Sequence, residues 1–238
     1  DCLLLGALFN PHPKFLHRKM IEIKDRIGWK RPNGKYAEIK YNICGDQTAL
    51  TVATEVIDAF FESTSWYRCI AIDQKNRMDL NRFGGPHEGE EIKKARAYKK
   101  FAELLLAHNT ENIVDGVLLT DELTRCKGDL FHPLLHELFA TPNANYSLGK
   151  GKPTLKHIDD VKSDVDHYQV SQVNDLLTGC VLNNLCPPQN KKKIALREHL
   201  IQRLGRKNLL EETWGQYSKG YVERNSPKFN IWYWKPSK

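Results

Sequence analysis

The chain has 238 residues, 40% of them hydrophobic, which suits one large domain, or one domain with an appendage, and is enough for a real core. It holds no apolar run long enough to span a bilayer and no visible signal peptide, so the expected setting is the cytoplasm, without a membrane partner. The formal charge is +7 and it is local: residues 191–238 hold 12 Lys and Arg against 4 Asp and Glu, while the rest is close to neutral. Such an excess points to an anionic partner, nucleic acid first, although a basic segment that serves only solubility has the same composition.

Cys2 to Phe9 (CLLLGALF) is nearly all apolar, the pattern of a buried strand. It starts without a polar lead-in, so a segment upstream of it is expected. Pro11 and Pro13 break the strand, and Lys14 to Ile27 has the spacing of an amphipathic helix. Turn residues Arg31-Pro32-Asn33-Gly34 follow. Tyr36 to Ile43 (YAEIKYNI) alternates as a strand does. Asp46 is placed to cap a helix to about Glu62, with Ala49, Val52, Ala53, Val56, Ile57 and Phe60 on one face.

Trp66 to Asp73 (WYRCIAID) reads as a strand ending in an acid, and Arg77 to Gly89, with Gly84-Gly85-Pro86, as a mobile loop. A helix is expected over Glu90 to His108, a strand over Asn112 to Thr120 running into Asp121-Glu122, and a short helix over Leu130 to Phe139. A short strand around Leu155 ends at Asp159-Asp160. From Tyr168 an apolar helix carries Val173, Leu176, Leu177, Cys180 and Val181 on one face, with Asp175 set beside it. Pro187-Pro188 stops that helix, and a basic helix from Lys191 and an aromatic tail (FNIWYWKP) close the chain. The tail could stack on bases, but its alternation is also that of an ordinary strand, the preferred reading. Strands alternating with helices give an α/β fold whose mixed sheet starts antiparallel and continues parallel.

The six cysteines are scattered with no CxxC pair, and read as reduced core residues rather than a zinc site. His132 and His136 lack the Glu of a zinc-protease motif and read as structural.

Three stretches together resemble the DUF3800 family, whose fold is ribonuclease H-like. They are Glu38-Ile39-Lys40, Ile70-Ala71-Ile72-Asp73-Gln74-Lys75, and Gln172-Val173-Asn174-Asp175-Leu176-Leu177-Thr178-Gly179. The last looks like the family's Gln-x-x-Asp-Leu-hydrophobic-small-Gly helix. The likeness runs from Leu3 to about Leu185. The family opens with an Asp-Glu-Ser-Gly strand just before the Leu3-like strand. That motif is absent from this sequence, and its loss would remove a metal ligand. The resemblance implies a ribonuclease H-like mixed sheet flanked by helices over residues 1–186, with residues 187–238 as a basic helical extension ending in the aromatic strand.

It also implies a divalent-metal nuclease acting on DNA or RNA, part of a larger complex in a microbial defence or mobile-element system. In such sites carboxylates on strand ends and on one late helix gather two Mg²⁺ or Mn²⁺ ions. The expected ligands are Asp73, Asp121 and Asp175, with Glu38 as a further catalytic acid. Asp175 leads because an acid beside a core needs a metal or a partner. Asp73 reads equally as a turn residue paired with Lys75, and Asp121 equally as a cap. Asp159 and Asp160 read first as caps. Lys40, Lys75, Gln172, Lys191, Lys192 and Lys193 are the expected substrate contacts. For Lys40 a solvated pair with Glu38, and for Gln172 a plain surface position, stand beside that role. A non-catalytic nucleic-acid- or protein-binding module of the same fold is the competing reading.

Overall fold

The computed structural model describes residues 2–72, 78–107, 117–120, 154–157, 166–210 and 228–234. The chain divides into two compact units, one formed by residues 1–76 with 163–238 and the other by residues 77–162.

The first unit is a three-stranded mixed sheet covered by helices. Strands β1 (Leu3–Phe9), β2 (Trp66–Ile72) and β5 (Phe229–Trp234) lie in the order β1-β2-β5. β1 runs antiparallel to β2, with Gly6 opposite Cys69, and β5 runs parallel to β2, with Ile231 opposite Cys69. The expected mixed sheet is therefore present, and the aromatic tail is its third strand. Phe229, Ile231 and Tyr233 are buried and Trp232 is exposed, as alternation requires. Phe229 stacks on Tyr67 at 5.0 Å. The described residues beyond 187 belong to the first unit.

Four helices pack with this sheet: α1 (Pro13–Ile27), α2 (Gln47–Glu62), α4 (Asp166–Leu185) and α5 (Lys191–Leu204). Their ends follow from local chemistry. Pro13 sits in the first turn of α1, where a missing N–H costs nothing, and Gly28 ends it with φ 75°. The Asp46 carboxylate accepts from Thr48 N and Ala49 N at 2.8 and 3.0 Å. Those bonds hold its pKa below the usual carboxylate range. Asn190 caps α5 in the same way. The six apolar residues expected on the inner face of α2 are all fully buried, as are the five expected on α4.

One expected strand is absent. Tyr36 to Lys40 is extended but pairs with no strand beyond a single bridge between Lys30 and Tyr36, and Tyr41–Ile43 is a 3-10 turn. The alternation reflects burial, since Ile39 is fully buried, but Ala37 O, Ile39 N and Tyr41 N bond to side chains.

The second unit contains a 3-10 turn (Leu80–Phe83) within the expected loop, helix α3 (Glu90–Ala107), and a parallel pair of strands, β3 (Val117–Thr120) and β4 (Thr154–His157). The expected helix over 130–139, with His132 and His136, lies outside the described residues, as does the segment 112–116.

α4 approaches the rest of the first unit at two glycines. A Cβ on Gly6 of β1 would collide with the Thr178 hydroxyl and lie 2.6 Å from the Tyr67 hydroxyl. A Cβ on Gly179 would collide with the ring of Tyr41. The clash falls on Cβ, Cγ and Cδ1 of Tyr41, at the root of the side chain where rotation gives little relief, so Gly179→Ala is expected to destabilise the protein by about 1–3 kcal/mol. Urea unfolding measures it. A loss under roughly 0.5 kcal/mol would show that the Tyr41 ring moves freely.

Candidate functional site

The polar residues on α4 meet the segment between α1 and α2. Lys24 of α1 is fully buried, and its ammonium donates to Ala37 O (2.8 Å), Gln169 Oε1 (2.7 Å) and Gln172 Oε1 (2.8 Å). Gln172 Oε1 also accepts from Ile39 N at 2.9 Å. Two residues further on, Tyr41 N donates to Asp175 Oδ2 at 2.6 Å. Trp29 completes the set: its carbonyl accepts from Ala37 N at 3.2 Å, and its indole donates to Glu38 O at 3.3 Å.

Ala37 O, Glu38 O, Ile39 N and Tyr41 N are thus satisfied by side chains where a strand would use a neighbouring strand. Groups facing α4 come from residues 37, 39 and 41, which share one side of an extended chain. Their acceptors and donor come from Gln172, Asp175 and Lys24. Gln169, Gln172 and Asp175 are three apart along α4, near neighbours on a helix surface.

Burial alone disfavours a charged lysine, and it lowers the Lys24 pKa to about 7, while the charge of Glu38 pulls the other way. The three acceptors around Nζ favour the ammonium, which alone has three N–H donors. A second polar cluster lies at the 3-10 turn. The Asn183 amide donates to Tyr41 Oη (2.6 Å) and Lys193 O (2.7 Å), and Arg197 donates to Asn183 Oδ1 at 3.2 Å. The Lys193 ammonium lies 5.1 Å from the centre of the Tyr41 ring. Burial pushes the Tyr41 hydroxyl up to about 12 and the Cys44 thiol up to about 12, the latter helped by the charge of Asp175.

The expected site residues fall out as follows. Asp175 is exposed, and the partner its position demanded is a backbone N–H. Gln172, expected at substrate, is buried, and its amide is engaged internally. Glu38 and Lys40 form the solvated pair at 3.3 Å. Lys193 lies against Tyr41, while Lys191 is exposed and Lys192 half-buried. Arg203 of the same helix pairs with Asp58 at 3.2 Å, and Arg197 with Glu198, so part of the local basic excess has carboxylate partners. Asp73, Lys75, Asp121, Asp159 and Asp160 lie outside the described residues. Sequence reasoning missed Lys24 altogether. Its signal was a lysine in register with Leu16, Met20 and Ile23 on the buried face of α1.

Among the described residues no group of three or more His, Cys, Asp or Glu could hold a metal ion. Asp175 has the chemistry for a hard cation: an exposed carboxylate with one oxygen fixed by a backbone N–H. In the second unit a cleft is lined by Arg82, Phe83, Arg96, Lys99, Lys100 and Glu103. Three of its cations face carboxylates, Arg96 on Glu88 at 2.6 Å, Lys100 on Glu103 at 3.0 Å and Arg82 on Asp79 at 3.8 Å.

No family model matches the chain, and no curated protein and no solved structure matches it. No helix among the described residues is long and apolar enough to cross a membrane.

Two outcomes are expected of the buried lysine. Gln172→Leu removes one acceptor from the ammonium and the acceptor of Ile39 N, and should cost about 3 kcal/mol by denaturant unfolding. A cost below roughly 1 kcal/mol would show that water or a neighbour replaces the amide. The second outcome concerns pH. Unfolded, Lys24 stays protonated to about 10.5, and folded only to about 7, so unfolding takes up a proton between those values. The Lys24 contribution to stability therefore becomes more favourable as pH rises from 7 towards 10. The slope of stability against pH, wild type minus Lys24→Met, should be positive there. A flat difference would show that the three acceptors hold the ammonium charged.

Proposed function

We propose that the chain is a divalent-metal-dependent nuclease of the DUF3800, ribonuclease H-like type, cleaving phosphodiester bonds of DNA or RNA. The observation that carries this reading is Asp175: an exposed carboxylate on a helix seated against the sheet, oriented by the Tyr41 N–H. Orientation by a second hydrogen bond is what ligating carboxylates need. Asp175, with Asp73 at the end of β2 in the same unit, would hold Mg²⁺ or Mn²⁺. Bound there, the ions would supply an activated water and charge stabilisation of the leaving oxygen. Glu38 would serve as a further acid, with Lys40 beside it for phosphate and Lys75 as a further phosphate contact. The exposed Lys191 and its neighbour Lys192 would contact the nucleic-acid backbone. A cytoplasmic setting and a larger microbial defence or mobile-element complex fit this chemistry.

The second reading, a non-catalytic binding module of the same fold, is favoured by one observation. Gln172 and Asp175, the residues that carry the likeness, both have structural bonds to residues 39 and 41.

Asp175→Asn separates the two readings. Asparagine keeps an oxygen that accepts from Tyr41 N and removes the charge a metal needs. Stability should stay within about 1 kcal/mol of wild type, while Asp175→Ala loses roughly 1 kcal/mol or more with the bond. If the protein is a nuclease, cleavage of single-stranded DNA, duplex DNA or RNA should require Mg²⁺ or Mn²⁺, stop with chelator, and fall at least about 100-fold in Asp175→Asn. Undiminished cleavage in a folded Asp175→Asn protein, or none by wild type on any of the three, would end the catalytic reading. Binding is tested separately. Lys191→Glu with Lys192→Glu should weaken nucleic-acid affinity for all sequences alike and flatten its salt dependence. Unchanged affinity at low and high salt would assign these lysines to solubility.

A further inference from the structure

Cys2, just before β1, and Cys186, just after α4, lie 184 positions apart in sequence, yet their sulfurs are 3.4 Å apart. Both are thiols in this structure. They differ from the other described cysteines. Cys44, Cys69 and Cys180 are buried, and desolvation raises the pKa of each, which suppresses thiolate chemistry. Cys186 is exposed and Cys2 is half-buried, so a small oxidant can reach the pair.

We propose that Cys2 and Cys186 are a disulfide-forming pair, a covalent modification site that ties the start of β1 to the end of α4. The sulfurs need to close by roughly 1.4 Å to reach bonding distance, a displacement within reach of side-chain rotation. The oxidant is a low-molecular-weight disulfide such as oxidised glutathione. The exposed Cys186 thiolate attacks one glutathione sulfur, the glutathione S–S bond breaks, and one glutathione thiolate leaves with a proton. The Cys2 thiolate then attacks Cys186 Sγ of the mixed disulfide, and the second glutathione leaves with the second proton. The two cysteines lose two electrons and the oxidant gains them, giving one protein disulfide and two reduced glutathiones.

The bond would cross a contact the fold already makes tightly. α4 donates from Asn174 to Gly6 O of β1 at 3.1 Å, and the Thr178 and Tyr67 hydroxyls bond at 2.9 Å beneath the same glycine. A cross-link spanning most of the chain restricts the unfolded state strongly, so oxidation should stabilise the protein. The inference is independent of the nuclease reading, because neither cysteine belongs to that site.

The test uses the full chain, as wild type and as Cys126→Ser to remove the cysteine outside the described residues. After equilibration with oxidised glutathione, remaining thiols are alkylated and the protein is digested without reductant. The expected result is a Cys2–Cys186 linked peptide, two reduced glutathiones released per chain, and a Tm higher by roughly 5 °C that dithiothreitol reverses. Cys2→Ser and Cys186→Ser should each abolish the linked peptide and the Tm shift. A glutathione adduct that persists on Cys186, a link between two chains, or an oxidised protein with unchanged Tm would overturn the proposal.

Discussion

The first unit depends on one buried charge. The Lys24 ammonium is cut off from water, and each of its hydrogens has an acceptor: one from the backbone at Ala37 and two from α4 at Gln169 and Gln172. An unpaired ammonium in an apolar interior is costly enough that the chain must provide all three. The acceptors lie 13, 145 and 148 positions away, so the cost is relieved only when α1, the segment after it and α4 have assembled. That makes the lysine a test of register. Shifting α4 by one residue would bring Val170 and Val173 to the ammonium.

The same constraint explains the mixed character of α4. One side presents Gln169, Gln172 and Asp175 to the extended segment. Another presents Asn174 and Thr178 to β1 and β2. Gly179 and Asn183 make room for Tyr41 and bond its hydroxyl. Between them Val173, Leu176, Leu177, Cys180 and Val181 fill the core. A helix buried on most of its surface cannot be amphipathic in the simple sense. Its polar residues are interior partners for backbone and side-chain groups that would otherwise go unmet.

What was legible in the sequence was whatever one element decides alone. The apolar faces of α2 and α4, the Asp46 cap, the Pro13 start and the stop at Pro187-Pro188 are local patterns, and the mixed sheet with its aromatic third strand followed from alternation. What failed was decided by a distant partner. Tyr36 to Ile43 alternates like a strand because Ile39 is buried, but its hydrogen bonds go to Lys24, Gln172 and Asp175, and nothing local announces that. Cys2 and Cys186 carry no shared motif, so their proximity exists only in three dimensions. Lys24 could be read as an anomaly on an apolar face, but not its acceptors. The strand-end acids Asp73 and Asp121 lie outside the described residues.

The structural work at positions 172 and 175 accounts for the residue types there unequally. Gln172 is explained: its length and its amide oxygen are what Lys24 and Ile39 N require, and its burial leaves no other role for that oxygen. Asp175 is explained only in part. Tyr41 N needs an acceptor, and a neutral amide of the same size would serve. A full negative charge strengthens that bond, but exposure to solvent shares the charge with water and dilutes the gain. The charge also acts against its neighbours, raising the Cys44 and Cys180 pKa values further. The acceptor belongs to the fold. The charge is more than Tyr41 N requires.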